Sequence, residues 1–262
     1  METARSLRFG RLPGCAAPTG RDGFQQRQSE EFRESLHKTN MRGIGGYDLA
    51  SPDDRAFAFD YDGSGKLDHL VFYRRDRGTI WILRNTAGRF GPVYSQGDPG
   101  DGIGGYDLNS VVDRVFAFDY NGSGKLDHLV LYRPGRGAIW ILRNTTGKFE
   151  PVYAQGDPGE GIGGHCLRSQ DDRAFAFDYN SSGRLDHLVL YRPGSGNILI
   201  LRNTAGQFAP VFFHPALTDD GIGGYDLRCP ADRVFAFDYD GSGKLDHLVF
   251  STSITAVTWT PL

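Results

Sequence analysis

Across residues 54–95 the apolar positions alternate with a period of two and are interrupted by short polar, glycine-rich turns. In Ala56–Tyr61, Phe57, Phe59 and Tyr61 fall on one side of an extended chain, and Ala56, Ala58 and Asp60 on the other. Bulky rings on one side and alanine on the other predict a strand whose sheet packs face to face with a close neighbour. His69–Arg74 predicts a second strand. Thr79–Arg84 predicts a third, apolar on both sides through Ile80, Trp81, Ile82 and Leu83. Phe90–Tyr94 predicts a short fourth. Pro92 has no amide to donate to a ladder, so this strand belongs at an outer edge. Gln25–Lys38, with Glu30, Glu31, Phe32, Glu34 and Leu36, predicts one short helix before the strands begin.

The same order of signals returns four times, the mark of a repeat architecture. GIGGYDL stands at Gly43–Leu49, Gly102–Leu108 and Gly221–Leu227, and GIGGHCL at Gly161–Leu167. Asp60, Asp119, Asp178 and Asp238 follow at spacings of 59, 59 and 60 residues. A four-stranded unit of this length reads as a propeller blade, which cannot cover both its faces alone and needs neighbours. The predicted fold is therefore an all-β propeller, four blades of four antiparallel strands with a short N-terminal helical segment. Residues 1–42 form that N-terminal segment, and the repeats run over 43–101, 102–160, 161–220 and 221–262. The fourth departs from the pattern after Phe250, although Ile254–Thr258 can still supply a third strand. Arg8-Phe9-Gly10 repeats the Arg89-Phe90-Gly91 signal, so a strand from the N-terminus is expected to complete the last blade and close the ring. An open, incomplete ring is the alternative.

Composition narrows the function classes. Lys+Arg 29 against Asp+Glu 32 gives a net charge of −3, which argues against a general nucleic-acid binder or a polybasic membrane anchor. No apolar run approaches the ~18 residues of a membrane helix. Met1–Gly20 has no apolar stretch of signal-peptide length, so a leaderless chain is expected, cytoplasmic or released by a non-classical route. Cys15, Cys166 and Cys229 make neither a disulfide framework nor a CxxC pair. There is no GxSxG, Walker loop or HExxH, and with no catalytic constellation the expectation is that the chain is not an enzyme.

The chemistry concentrates in the turn between the first and second strands. Asp60, Asp62, Ser64, Lys66 (through its carbonyl) and Asp68 place oxygens at loop positions 1, 3, 5, 7 and 9, with Gly65 at position 6. That is the ligand rhythm of a calcium loop. The other copies are Asp119, Asn121, Ser123, Lys125 and Asp127; Asp178, Asn180, Ser182, Arg184 and Asp186; and Asp238, Asp240, Ser242, Lys244 and Asp246. Ca²⁺ is the expected cofactor, bound more tightly where three carboxylates stand, in the first and fourth loops. The competing reading is a hairpin turn held by Asx hydrogen bonds.

The D-x-[DN]-x-S-G-x-x-D loop between two strands, in units of about 60 residues, resembles the FG-GAP/VCBS repeat family over residues 43–250. Repeats of that family build propellers in integrin α-chains and in leaderless fungal lectins. The resemblance implies calcium-loaded blades, with the four loop sets as the matching residues. The chain departs from the better-known members in its number of blades.

Four further repeated features stand beside the loops. His69, His128, His187 and His247 follow the last loop aspartate and read as supports of the loop or blade seam rather than as ligands of a transition metal. Asp54-Arg55 and its copies read as ion pairs between blades or as backbone caps, and Trp81 and Trp140 as core. In the GIGGYDL loops, Tyr47 with Asp48, Tyr106 with Asp107 and Tyr225 with Asp226 offer a ring for sugar C–H groups and an acceptor for hydroxyls. The alternative is a turn between blades with a buried tyrosine. The expected function is a calcium-stabilised, multivalent lectin that binds glycans or glycoproteins. A protein–protein interaction or toxin-accessory module is the alternative.

Overall fold

The computed structural model describes residues 43–215, 222–252 and, for the backbone, 257–260. The helix expected at Gln25–Lys38 and the closing strand expected near Phe9 lie outside the described residues. The chain divides into two compact units, Met1–Arg42 and Gly43–Leu262, and the description concerns the second.

The fold is an all-β propeller. β1 (Asp54–Phe59), β2 (His69–Arg74), β3 (Thr79–Thr86) and β4 (Arg89–Ser95) form the first antiparallel sheet in that order. β5 (Arg114–Phe118), β6 (His128–Arg133), β7 (Ala138–Thr145) and β8 (Lys148–Gln155) form the second. The third has β9 (Arg173–Phe177), β10 (His187–Arg192), β11 (Asn197–Thr204) and β12 (Gln207–His214). The fourth shows three strands among the described residues: β13 (Arg233–Phe237), β14 (His247–Ser251) and β15 (Val257–Thr260). The outer-edge expectation for Pro92 has a structural counterpart. Pro92, Pro151 and Pro210 each sit at a bulge where the register of the outermost strand shifts.

Alternation along each strand sends successive side chains to opposite neighbours. Phe59, Val71, Tyr73, Ile80 and Ile82 of the first blade pack with Val115, Leu129, Leu131 and Leu142 of the second. Phe118, Val130 and Tyr132 pack with Leu188, Leu190 and Leu201 of the third, and Phe177, Val189 and Tyr191 with Val234, Leu248 and Phe250 of the fourth. Each blade thus has a forward face carrying phenylalanines on its first strand. The face behind it carries small residues: Ala117 in the second blade, Ala174 and Ala176 in the third, Ala236 in the fourth. The core lies in the seams between blades and not within any one sheet.

Three seams repeat the same bonds. Asp60 N donates to Leu126 O at 3.0 Å, Asp119 N to Leu185 O at 3.2 Å and Asp178 N to Leu245 O at 3.2 Å. Val115 N, Ala174 N and Val234 N donate to the hydroxyls of Tyr73, Tyr132 and Tyr191 in the preceding blade. Burial pushes the Tyr132 hydroxyl up to about 12, so it stays protonated there. Gly78 N, Gly137 N and Gly196 N donate to the carbonyls of Leu108, Leu167 and Leu227. β1 packs on β5, β5 on β9 and β9 on β13; among the described residues β13 makes no such contact with β1. Nine loop residues from all four blades, among them Leu67, Leu126, Leu185 and Leu245, surround a cavity of about 220 Å³.

Candidate functional site

The cluster behind the Gly-Gly loops is built on the last residue of the second strand. Arg74 is buried at the end of β2 and donates to Asp54 at 2.9 Å, to Asp48 at 2.5 Å and to Asp98. Its guanidinium also lies 5.6 Å from the centre of the Tyr47 ring. The second blade repeats the set, with Arg133 donating to Asp113 at 2.8 Å, Asp107 at 2.5 Å and Asp157 at 2.7 Å. Hydrogen bonds donated to Asp54 and Asp113 push the two guanidinium pKa values up, against the opposing effect of burial. Burial works to raise Asp54, yet hydrogen bonds from Arg74, Tyr47 and the Ser51 amide hold it below the usual carboxylate range. Asp54 and Asp98 are thus kept ionised beside Arg74.

The tyrosines expected to present a face to sugar do not do so. Tyr47 and Tyr106 are buried, and their hydroxyls donate to Asp54 at 2.6 Å and Asp113 at 2.9 Å. Tyr225 is half-buried and donates to Asp232 at 2.6 Å. The ring is consumed because the aspartate opening the first strand needs a donor in a site closed to water. Asp48 keeps 55% of its side chain exposed and Asp107 52%, although both are paired to arginine. Asp226 is exposed as well.

The ring that does border open space is the tryptophan, which is half-buried instead of core as expected. Gly46, Asp48, Arg74, Thr79, Trp81, Gly97 and Asp98, with Tyr47, line a cavity of about 160 Å³. Trp81 Nε1 donates to Gln96 O at 2.6 Å, and Trp140 Nε1 to Gln155 O at 2.8 Å, which fixes each indole. Gly46 has φ +95, and a Cβ added there would stand 3.3 Å from the Trp81 ring; Gly105 has φ +91 and a gap of 3.4 Å to Trp140. Glycine therefore supplies the left-handed turn and sets no side chain against the indole. The third blade lacks the arrangement, with Leu199 for tryptophan and Cys166, 3.6 Å from Arg192, for aspartate. Sequence reasoning missed the arginine. Its signal was its invariable place two residues after the third apolar position of β2, β6 and β10.

The Asp-Arg pairs do not bridge blades. Asp54 and Asp113 bond within their own blade, and Arg55 and Arg114 cap nearby carbonyls at Pro52, Asp54, Val112 and Asp113. The repeated histidines do support the loops: His69 lies 2.8 Å from Asp68, His128 2.6 Å from Asp127, His187 2.6 Å from Asp186 and His247 2.8 Å from Asp246.

The calcium-type loops divide their oxygens. Asp60 is fully buried and accepts Ser64 N at 2.9 Å and Gly65 N at 2.7 Å, so it closes the turn. Asp119, Asp178 and Asp238 accept the same two amides in their loops. Asn121, Asn180 and Asp240 each accept the serine amide, from Ser123, Ser182 and Ser242. In the first loop Asp62, Asp68 and His69 bring ligand atoms within 4.8 Å of one another, the one such trio among the described residues. Asp68 Oδ1 is buried there, with His69 Nδ1 at 2.8 Å as its neighbour. Two carboxylates beside one imidazole are a donor set that fits a hard divalent cation. Elsewhere, burial and the neighbouring Asp186 and Asp127 push Asp119 up, a strain that a cation would relieve.

No protein-family model matches the chain, and no curated protein matches it. Solved propellers do. A lectin of Agrocybe aegerita that recognises non-reducing terminal N-acetylglucosamine is 21% identical, with a TM-score of 0.49 over 82% of this chain and 53% of the lectin. A Bacteroides fragilis protein proposed as a 6-phosphogluconolactonase is 13% identical (TM-score 0.35, 60% of this chain, 37% of that one). The periplasmic gluconolactonase PpgL of Pseudomonas aeruginosa is 12% identical (TM-score 0.35, 75% of this chain, 47% of the enzyme). The chain thus spans about half the length of the solved propellers it matches, or less. These neighbours overturn the expectation that the chain is not an enzyme, because propellers named for lactone hydrolysis stand among them beside a lectin.

Proposed function

We propose that the protein binds carbohydrate at the tryptophan cavity of the first blade and at the matching residues of the second. The observation that carries this reading is the repeated union of a half-buried indole, an exposed aspartate and a fixed arginine: Trp81, Asp48 and Arg74, then Trp140, Asp107 and Arg133. Sugar C–H groups stack on indole, and hydroxyls bond to carboxylate and backbone acceptors. Two equal sites on one rigid body favour clustered glycans, since linked weak sites gain avidity. The likeness to FG-GAP/VCBS repeats and to fungal lectins of that kind supports the same reading. Calcium belongs to it as a structural ion held by Asp62 and Asp68 of the first loop, where it offsets carboxylate repulsion.

A glycan array probed with the full chain tests the proposal. Binding to clustered sugars that falls at least tenfold in a Trp81→Ala/Trp140→Ala double variant, with an unchanged melt, supports it. A blank array together with turnover of a lactone substrate overturns it. The ion is tested separately by melting with and without chelator: a lower Tm that the Asp68→Ala variant no longer shows supports calcium, and identical melts remove it.

A further inference from the structure

Positions that every internal seam buries are bare at the two ends of the blade row. Leu108, Leu167 and Leu227 are fully buried, whereas Leu49, the same position before the first blade, is 48% exposed. Phe59, Phe118 and Phe177 are fully buried, whereas Phe237 of the fourth blade is 45% exposed and Phe235 46%. Ala56 and Ala58 of β1 are exposed, while Ala117, Ala176 and Ala236 pack into seams. Leu49 holds φ 44, the same left-handed backbone as Leu108 at φ 50. At Leu108 the carbonyl accepts Gly78 N across the seam; at Leu49, among the described residues, no such bond is made. A non-glycine residue in that region is strained and persists where its surroundings require it.

We propose that the forward face of the fourth blade docks on the rear face of the first blade of a second copy. The two surfaces are complementary by construction. Phe235 and Phe237 match Phe57 and Phe59 in position, and Ala56, Ala58 and Leu49 match residues in the clusters where those rings already pack three times. The bond from Asp238 N to Leu67 O of the second copy continues the series begun at Asp60 and Leu126. A head-to-tail contact of this kind is heterologous, so each copy offers one donor face and one acceptor face. The seam between copies lacks one internal bond, because Ser251 stands where Tyr73, Tyr132 and Tyr191 accept an amide from the next blade. It is therefore weaker than the internal seams and dissociates on dilution while the blades stay folded.

Sedimentation of the full chain over a range of concentrations tests this, with melts confirming that each variant is folded. The expected result is a mass of two or more chains that falls to one chain in Phe237→Asp and, separately, in Ala58→Arg. Mixing the two variants is expected to restore a pair, since the first keeps its rear face and the second its forward face. A single-chain mass at every concentration overturns the proposal, and means that the chain covers these faces itself. So does an assembly that neither variant affects, or a mixture that stays monomeric.

Discussion

Phe118 and Phe237 occupy the same position in the second and fourth repeats, yet one is sealed between two sheets and the other faces solvent. Their strands, flanking turns and loop aspartates are nearly the same, so local sequence does not explain the difference. What differs is the neighbour. Phe118 has the third blade in front of it, with Leu188 and Leu201 in the same cluster, whereas among the described residues nothing packs in front of Phe237. In this fold a blade's stability belongs to its seams. A residue's worth is therefore set by which blade stands next to it.

The largest expected effect is on the rings themselves. Phe118→Ala is expected to cost about 3–5 kcal/mol, as for a buried aromatic. Phe237→Ala, measured on the dissociated chain, should lie within about 0.5 kcal/mol of the parent, as at an open surface. Denaturant unfolding of both variants at low concentration decides, and equal losses would break the comparison.

The ion clusters sharpen it. Asp113 is buried against Arg133, and removing one partner of such a pair costs about 3–5 kcal/mol. In the fourth blade Thr252 stands where Arg133 stands, and Asp232 accepts the Tyr225 hydroxyl and the Cys229 amide in place of an arginine fork. Asp232→Ala is expected to cost about 1–2 kcal/mol, the value of hydrogen bonds left unmade. Chemical denaturation of the two alanine variants compares them.

The same clusters set the acid limit. Burial works to raise Asp172, but hydrogen bonds from His165, Arg192 and the Ser169 amide hold it below its usual value. A carboxyl whose folded pKa is depressed stabilises the fold above its unfolded value of about 3.9 and loses that contribution as pH falls through the folded one. Tm is therefore expected to drop below about pH 4, and Asp172→Asn to flatten that drop while lowering Tm at neutral pH. A curve of the same shape in both proteins would remove Asp172 from the account.

The smallest effect concerns single seam bonds. Asn144 Nδ2 donates to Tyr61 O at 2.7 Å across the first seam, while its Oδ1 accepts Gly147 N in its own turn. Asn85, its counterpart in the first blade, makes the turn bond to Gly88 N, and no blade precedes it among the described residues. Asn144→Ala should therefore cost about 1 kcal/mol more than Asn85→Ala, one net hydrogen bond. Paired unfolding curves check this, and equal costs would mean that the seam bond adds nothing.

Much of the architecture was legible because the repeat speaks four times. Period-two alternation located β2 to the residue and the other strands of the first blade to within two residues at either end, while the strand expected at Ile254–Thr258 lies at Val257–Thr260. Phenylalanine against alanine foretold sheets packed at close range, and Pro92 foretold an outermost strand. The binding cavity was only half legible. The Gly-Gly-Tyr-Asp loop marked the right neighbourhood, but which of its aromatic residues meets solvent depends on a buried aspartate that claims the tyrosine hydroxyl. Nothing in local sequence distinguishes that tyrosine from an exposed one, and Trp81, taken for core, is the half-buried ring beside the cavity.

By itself, then, the amino-acid pattern determined the blade, its strands, its turn chemistry and the faces its side chains take, because all of these depend on neighbours a few residues away. Only the tertiary structure decided which faces are covered. It also decided that Arg74 and Arg133 gather three carboxylates each. Those outcomes depend on atoms brought together from 20 or more residues apart, where burial removes water and makes every unpaired polar group costly.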